Sequence, residues 1–117
     1  MQSTVQDLGS VHRNSCFVSR DGDTYVGGTI DGKANGKGIL VSSNGNIYEG
    51  FFENGQKHGP GVIRMSNGDI LEATFNNGRV NGEFVLRLDF GFEFRGCIED
   101  GKMLGEGVLS SSFTDKK

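Results

Sequence analysis

Proline and cysteine are scarce in this sequence, with one proline, Pro60, and two cysteines, Cys16 and Cys97, among 117 residues. A single proline excludes a collagen-like chain and a proline-rich linker. The cysteines lie too far apart for a Cys-x-x-Cys metal pair and are too few for a disulfide framework. We therefore expect reduced thiols, no metal site and a cytoplasmic location, with peripheral attachment to a membrane or the cytoskeleton as an open alternative.

Signals for membrane insertion, export and lipid attachment are also missing. No segment approaches the about 18 consecutive apolar residues that indicate a transmembrane helix. Residues 1–10 contain neither a basic nor an apolar stretch, Gln2 stands where myristoylation needs glycine, and no CaaX sequence closes the chain. We therefore expect no signal peptide, no membrane span and no such lipid anchor.

The chain also has little excess charge of either sign. The formal net charge is −3, the isoelectric point is near 5.3, and no long basic run occurs. Because nucleic-acid binders concentrate positive charge against phosphates, we expect no nucleic-acid partner. Hydrophobic residues make up 34% of the chain, which suits a thin sheet with one packed face better than a compact globule.

Glycine, in contrast, is abundant, with 20 residues. Nine glycines are separated by alternating steps of 13 and 10 residues, and seven of the nine follow Asp or Asn. An Asx-Gly pair predicts a tight type I′ hairpin turn, because both central residues of that turn need a positive φ. We therefore expect strands and tight turns to alternate with a 23-residue period, which indicates a repeat architecture. The nine are Gly9, Gly22, Gly32, Gly45, Gly55, Gly68, Gly78, Gly91 and Gly101.

Large and tiny side chains alternate within each predicted repeat. The three equivalent series, two residues apart along the strand, are Tyr25, Tyr48, Leu71 and Phe94, then Gly27, Gly50, Ala73 and Gly96, then Thr29, Phe52, Phe75 and Ile98. Alternation with a period of two predicts a strand that packs on one face. The tiny residue leaves room for an aromatic side chain from the neighbouring strand.

These patterns predict an all-β fold, an elongated and twisted antiparallel meander of β-hairpin repeats with about nine strands and essentially no helix. We divide the chain into an N-terminal tail (1–8), a half repeat that caps the array (9–24), four repeats (25–113) and a C-terminal tail (114–117). The four repeats are residues 25–47, 48–70, 71–93 and 94–113.

The second repeat resembles the MORN repeat (membrane occupation and recognition nexus). The resemblance lies in its Tyr-Glu-Gly-Phe-Phe sequence at residues 48–52, Asn-Gly at 54–55, His-Gly-Pro-Gly at 58–61 and Asn-Gly at 67–68. The first repeat matches well, and the fourth matches with Phe94 in place of tyrosine. The third departs most, with Leu71 for tyrosine, Ala73 for glycine and Phe84 for glycine.

The resemblance implies a β-hairpin array that binds partners and does not catalyse. Such repeats occur in scaffolds, cytoskeletal organisers and junction proteins, so we expect a scaffold or adaptor that binds a protein partner, near a membrane or the cytoskeleton as one alternative. Another alternative is a regulatory or targeting segment of a larger enzyme, such as a lipid kinase or a lysine methyltransferase. A third is a direct binder of acidic phospholipids.

Two groups of residues are candidate binding sites. A single-layer sheet leaves apolar surface open, so an aromatic face could bind a partner peptide or helix. The alternative is that the same rings only pack against one another within the sheet. Its residues are Tyr25, Tyr48, Phe52, Phe75 and Phe94. A rim beside the predicted turns would bind an acidic headgroup or an acidic partner, although acidic neighbours favour a simply solvated rim. Its residues are Lys33, Lys57, Arg79 and Lys102.

Motifs that suggest catalysis have simpler explanations. Residues 27–33 and 96–102 match the spacing of a phosphate-binding loop, but Ala34 and Met103 replace its Ser or Thr and no helix is predicted to follow. His58 has no predicted catalytic partner. We therefore expect no catalytic residue, no cofactor and no enzymatic activity.

Both ends of the predicted meander are open sheet edges. The last strand, at residues 107–113, carries no charged side chain. Because an uncharged edge invites pairing with another chain, we expect either a homodimer through the C-terminal edge or continuation into further repeats of a longer protein.

Overall fold

The computed structural model describes residues 12–111, which form an antiparallel sheet of ten strands and contain no helix. The predicted all-β meander is confirmed, with one strand more than expected because the last one is divided. The strands are β1 (His12–Val18), β2 (Thr24–Ile30), β3 (Lys33–Val41), β4 (Ile47–Glu53), β5 (Gln56–Arg64), β6 (Ile70–Asn76), β7 (Arg79–Arg87), β8 (Phe92–Glu99), β9 (Lys102–Met103) and β10 (Val108–Ser111). The predicted tails, 1–8 and 114–117, lie outside the described residues, as does the start of the half repeat.

Strands β1 to β8 each pair with their neighbour in sequence, and both β9 and β10 pair with β8. Short connections enforce this arrangement, because they leave an antiparallel neighbour as the partner within reach. The sheet is elongated, with principal extents of 62 × 27 × 26 Å. We call its tyrosine-bearing side the inner face and the opposite side the outer face.

Four of the turns are two-residue turns, as predicted. Their Asx residues, Asp31, Asn54, Asn77 and Asp100, have φ between 51° and 56°, and the glycine that follows each is also positive. Two consecutive positive φ angles define the type I′ turn, whose twist matches that of the flanking strands.

The alternate turns differ from the prediction, which assigned one turn type to every Asx-Gly pair. In the turn after β1, the Ser19 N–H donates to the Asp23 carbonyl at 2.7 Å and the Gly22 N–H donates to the Ser19 carbonyl at 3.0 Å. Only Gly22 of this turn has a positive φ. This is a three-residue loop, a type I turn followed by a left-handed glycine. The same pair of backbone hydrogen bonds closes the turns that contain Gly45, Gly68 and Gly91.

Tyrosines on the inner face lie across glycines of the neighbouring strand. A Cβ on Gly38 would come within 2.6 Å of Tyr25 Cε1, and a Cβ on Gly61 within 2.5 Å of Tyr48 Cε1. The Tyr25 hydroxyl donates to the Gly28 carbonyl at 2.7 Å, and the Tyr48 hydroxyl donates to the corresponding carbonyl in its own repeat, at 2.8 Å. Glycine is therefore needed at these positions for the close approach of a ring to the backbone.

The third repeat exchanges the positions of its large and small residues. Phe84 stands where the other repeats have glycine, and it pairs with Ala73 on one side and Gly96 on the other. Its Cζ would lie 2.9 Å from a Cβ on Gly96, and the Phe84 side chain is buried. Since Leu71 is smaller than tyrosine, the aromatic ring is supplied here from the second strand of the hairpin.

Candidate interaction surface

The predicted aromatic face lies mostly inside the coiled sheet. Tyr25 and Tyr48 are each only 2% exposed, Phe52 and Phe75 are buried, and Phe94 is half-buried. Tyr25 and Phe52 meet edge to face with ring centroids 5.0 Å apart, as do Tyr48 and Phe52. These rings form the core of the repeat array, so they offer a partner little surface of their own.

Burial also changes the acidity of the two tyrosines. Removing water from the phenol raises the pKa of Tyr25 above its usual 10.0, although a backbone hydrogen bond opposes the shift. Tyr48 has its pKa raised for the same reason. Both phenols are therefore neutral hydrogen-bond donors at physiological pH.

A second apolar row on the inner face is more accessible. One side chain every 23 residues forms this row. Cross-strand pairing places the three middle members between two residues of the tyrosine series and each end member beside one such residue. We call this row the inner strip, and its residues are Phe17, Leu40, Ile63, Leu86 and Leu109. Leu109 is 61% exposed, Phe17 is 40% exposed, and the other three are partly exposed.

The inner strip was not among the predicted sites, although its 23-residue spacing was visible in the sequence. At its N-terminal end a groove of about 280 Å³ lies between Phe17, Tyr25, Leu40 and Phe52, and Lys33 also lines it. The groove is apolar and open on one side, as expected of a surface that takes a side chain from another segment.

The predicted basic rim carries both signs of charge. Lys33, Arg79 and Lys102 are exposed, while Lys57 is half-buried with its Nζ 5.4 Å from the centroid of the Tyr48 ring. The same turns also carry exposed acidic residues, and these are Asp31, Glu53, Glu99 and Asp100. Since the rim has as many acidic as basic side chains, its geometry does not favour an anionic ligand.

The described residues bring few reactive groups together. Between residues 12 and 111 no cluster of His, Cys, Asp and Glu is arranged to hold a metal ion, and no helix could span a membrane. His58 pairs through Nε2 with Glu53 Oε1 at 3.1 Å, and its buried Nδ1 lacks a hydrogen-bond partner in this part of the chain. The segments with phosphate-loop spacing lie in strands and their turns.

The comparison with known proteins agrees with this geometry. The family model of the MORN repeat matches residues 25–47, 48–70 and 94–112. The intervening residues 71–93, where Phe84 replaces glycine, are not matched. No curated protein matches the chain. The MORN repeat is generally a non-catalytic module and is often involved in membrane or protein interaction. Because the matched segments cover more than half of the chain, the protein belongs to the MORN-repeat family.

Proposed function

We propose that this protein is a non-catalytic scaffold or adaptor that holds a segment of a partner protein along the inner strip. The observation that carries the proposal is one accessible apolar side chain per repeat, in line across the strands from Phe17 to Leu109. The buried tyrosines and phenylalanines beneath the strip make it a rigid surface. A contiguous open apolar surface of this kind marks an interaction site.

The spacing of the strip limits what can lie on it. Successive members are two strands apart, which is about 10 Å. Seven residues of an α-helix rise about 10 Å, and one three-residue turn of a polyproline II helix rises about 9 Å. The partner segment is therefore an α-helix with an apolar residue every seventh position or a polyproline II segment with one every third position, lying across the strands.

The partner can be a separate protein near a membrane or the cytoskeleton, or another domain of a larger enzyme. Direct binding of acidic phospholipids through the rim has less support, because Asp31, Glu53, Glu99 and Asp100 oppose its four basic residues. Co-sedimentation with anionic vesicles over a salt series separates lipid binding by the rim from protein binding by the strip. Rim-driven lipid binding weakens steeply as salt rises, whereas apolar burial along the strip does not.

The test uses variants on the accessible part of the strip. We expect Phe17→Gln/Leu109→Gln to weaken binding of a partner, identified by affinity capture and then purified, by about tenfold or more. Val85→Gln on the outer face is the matched control and should bind like wild type. Phe52→Ala or Phe75→Ala would be uninformative, since truncating a buried phenylalanine costs about 3–5 kcal/mol of folding stability. Equal binding by the strip variant and wild type contradicts the proposal.

A further inference from the structure

The last hairpin of the described sheet lacks a neighbour that the earlier hairpins have. In each repeat the first strand (β2, β4, β6 or β8) carries the tyrosine series, and the second strand (β3, β5, β7 or β10) carries the inner strip. Strands β3, β5 and β7 lie between two first strands, whereas within residues 12–111 β10 pairs with β8 alone. The second strand of this hairpin is also divided, into β9 and β10. The open side of β10 is therefore where a further first strand would lie.

Leu109 shows one contact that is missing at this edge. Its equivalent in the first repeat, Leu40, is paired with Tyr25 on one side and with Tyr48 on the other, and it is half-buried. Leu109 is paired with Phe94 on one side and is 61% exposed. The cover that Leu109 lacks is thus a large side chain of the tyrosine series on the next strand.

The ring of Phe94 lacks a second contact of the same origin. Its equivalent Tyr48 meets Phe75, which comes from the next first strand, with ring centroids 5.4 Å apart, and Tyr48 is buried. Phe94 meets Phe84 of the preceding strand at 6.0 Å and stays half-buried. One additional first strand would therefore cover both Phe94 and Leu109.

The backbone of β10 is oriented to pair with such a strand. The Ser42 N–H donates to the Asn46 carbonyl at 2.8 Å, and the pairing of β3 with β4 continues in the same register. Because hydrogen-bonded pairs recur at every second residue of an antiparallel ladder, the N–H and carbonyl of Leu40 face β4. Leu109 is equivalent to Leu40, so its N–H and carbonyl face the open side of β10. Strand β10 also carries no charged side chain that would oppose pairing.

The opposite edge of the sheet does not suit the same strand. Strand β1 is equivalent to a second strand, and a first strand before it would place an aromatic ring over residue 15. At the equivalent positions, a Cβ on Gly38 or Gly61 would lie within 2.6 Å of Cε1 of a tyrosine. Ser15 carries such a Cβ, and its hydroxyl is held 3.1 Å from Thr29 Oγ1. The two edges therefore differ, and β10 is the one that leaves room for an aromatic first strand.

A second copy of this chain does not supply the missing strand. Its first strands β2, β4, β6 and β8 are each paired on both sides already. The edges that a copy presents are those of β1 and β10, which do not carry the tyrosine series. Self-association through β10 is thus a competing use of the edge that leaves Phe94 without its second ring.

We propose that a partner protein adds one extended strand to the open side of β10. The register of β3 with β4 places a large apolar residue of this strand opposite Leu109, a small residue opposite Gly107 and a large apolar residue opposite Gly105. Main-chain hydrogen bonds to β10 hold the strand, and its two large side chains cover Leu109 and Phe94. This site is separate from the proposed function, whose partner segment lies across the strands on the inner face.

The experiment is a nitrogen-15 NMR titration of the full chain with an acetylated and amidated peptide that copies β4, Ile-Tyr-Glu-Gly-Phe-Phe-Glu. The peptide has the alternation that the edge requires. We expect it to shift amides of β8 and β10 and to slow hydrogen exchange of the Leu109 amide about tenfold, because that N–H gains an acceptor. A peptide with serine in place of the tyrosine and the second phenylalanine should bind about tenfold more weakly.

Two N-methylated peptides test the backbone pairing. Methylation at the tyrosine and the glycine blocks N–H groups that face β10 and should abolish binding. Methylation at the first glutamate and the first phenylalanine affects N–H groups that face away from β10, so this peptide should bind like the parent. Both peptides keep the same side chains, so the comparison separates strand addition from apolar docking.

Two protein variants locate the site. Leu109→Pro removes the N–H on the open side and should abolish binding, while an edge strand tolerates proline at such a position. Phe17→Gln, at the other end of the inner strip, is the control and should bind the peptide like wild type. Thermal melting confirms that each variant is folded. If the inner strip fails to bind its partner, the peptide can still bind β10, so the two proposals fail separately.

Several outcomes would overturn the proposal. They are no binding of the parent peptide, shifts centred on β1 or on Leu40 and Ile63, equal binding of the two N-methylated peptides, or unchanged binding by Leu109→Pro. Sedimentation velocity provides the last arm. Where the wild-type chain forms a dimer through β10, the peptide should return it to the monomer, and a dimer that persists with peptide bound would show that the strand attaches elsewhere.

Discussion

Tyr25 and Tyr48 show how single residues hold this thin sheet together. Each ring fills the space above a glycine, meets Phe52 edge to face, and directs its hydroxyl to a backbone carbonyl. A single-layer sheet has no second layer to pack against, so its core must come from side chains folded down onto the backbone of the same layer. Function follows from this arrangement, because the buried rings support the inner strip above them.

The raised pKa values of Tyr25 and Tyr48 predict a loss of stability at alkaline pH. Each phenol keeps its proton to higher pH when folded than when unfolded, so its contribution is complete below an unfolded pKa of about 10 and is lost as pH rises through the folded pKa. Melting temperatures measured from pH about 8 to about 11 should fall above pH about 10. Tyr25→Phe/Tyr48→Phe should be less stable at neutral pH and show a shallower alkaline decline. An equally steep decline in that variant would contradict the assignment.

Phe84 predicts a coupled pair of residues in the third repeat. Phe84→Gly alone removes a buried ring beside Leu71 and Ala73 and should cost about 3–5 kcal/mol of the free energy of unfolding. In an Ala73→Gly background, which gives the ring the space that Gly50 gives Tyr48, Leu71→Tyr/Phe84→Gly restores the arrangement of the second repeat, so we expect it to recover about 1 kcal/mol or more of that loss. Urea unfolding of the two single variants and the double variant measures the coupling. Additive effects would show that the exchange of large and small residues is not compensatory.

At the scale of elements, the turns alternate between two types at the two long borders of the sheet. The two-residue turns are tied to the preceding repeat by backbone bonds, since the Gly55 N–H donates to the Ala34 carbonyl at 2.9 Å and the Gly78 N–H to the Lys57 carbonyl at 2.8 Å. At the three-residue turns side chains make the link. Asp23 Oδ1 accepts from the Ser43 N–H at 2.9 Å, and Asn46 Oδ1 accepts from the Ser66 N–H at 2.9 Å. These contacts join each repeat to the next.

The two turn types predict different costs for the same substitution. Asn54 has φ of 56°, so Asn54→Ala places a side chain that disfavours the left-handed region there and should cost about 1–2 kcal/mol of folding stability. Asp21, just before the glycine of a three-residue turn, has no positive φ, and Asp21→Ala should cost less than about 0.5 kcal/mol. Chemical unfolding of both variants checks this. Equal costs would show that the turn types do not differ energetically.

At the scale of the whole molecule, the sheet is a rod with open ends. Strand β10 is paired on one side with β8, and its Val108 and Leu109 are each 61% exposed. The inner strip runs along this rod, whose extent is 62 Å, while the edges of the sheet remain available for a further copy.

The β10 edge predicts self-association. Sedimentation velocity over a concentration series should detect a dimer, because β10 has no charged side chain to block edge-to-edge pairing. Val108→Lys should leave the chain monomeric. Thr74→Lys, at an exposed site on the central strand β6, is the control and should still dimerise. A wild-type chain that stays monomeric at every concentration would contradict the predicted dimer.

The spacing of the glycines predicted the strand order and the antiparallel pairing, because short turns leave a chain few topological choices. The same spacing, together with Tyr25, Tyr48 and their equivalents, indicated the MORN-repeat family. The turn types were only half predicted. Asx-Gly pairs occur in both types of loop, since Asn54-Gly55 forms a two-residue loop and Asn44-Gly45 belongs to a three-residue loop. The pairing of the flanking strands selects between the two.

The accessible surfaces depended on coiling, which a list of residues does not show. Twisting brings Tyr25, Tyr48, Phe52 and Phe75 together and buries them, so the rings that the sequence suggested as a binding face became the core. Phe17 and Leu109 stay accessible on the inner face because they lie on the first and last strands, and Val26 and Phe51 are exposed on the outer face. Local periodicity therefore specifies which side of the sheet a residue occupies, whereas contacts between repeats decide how much of it water or a partner can reach.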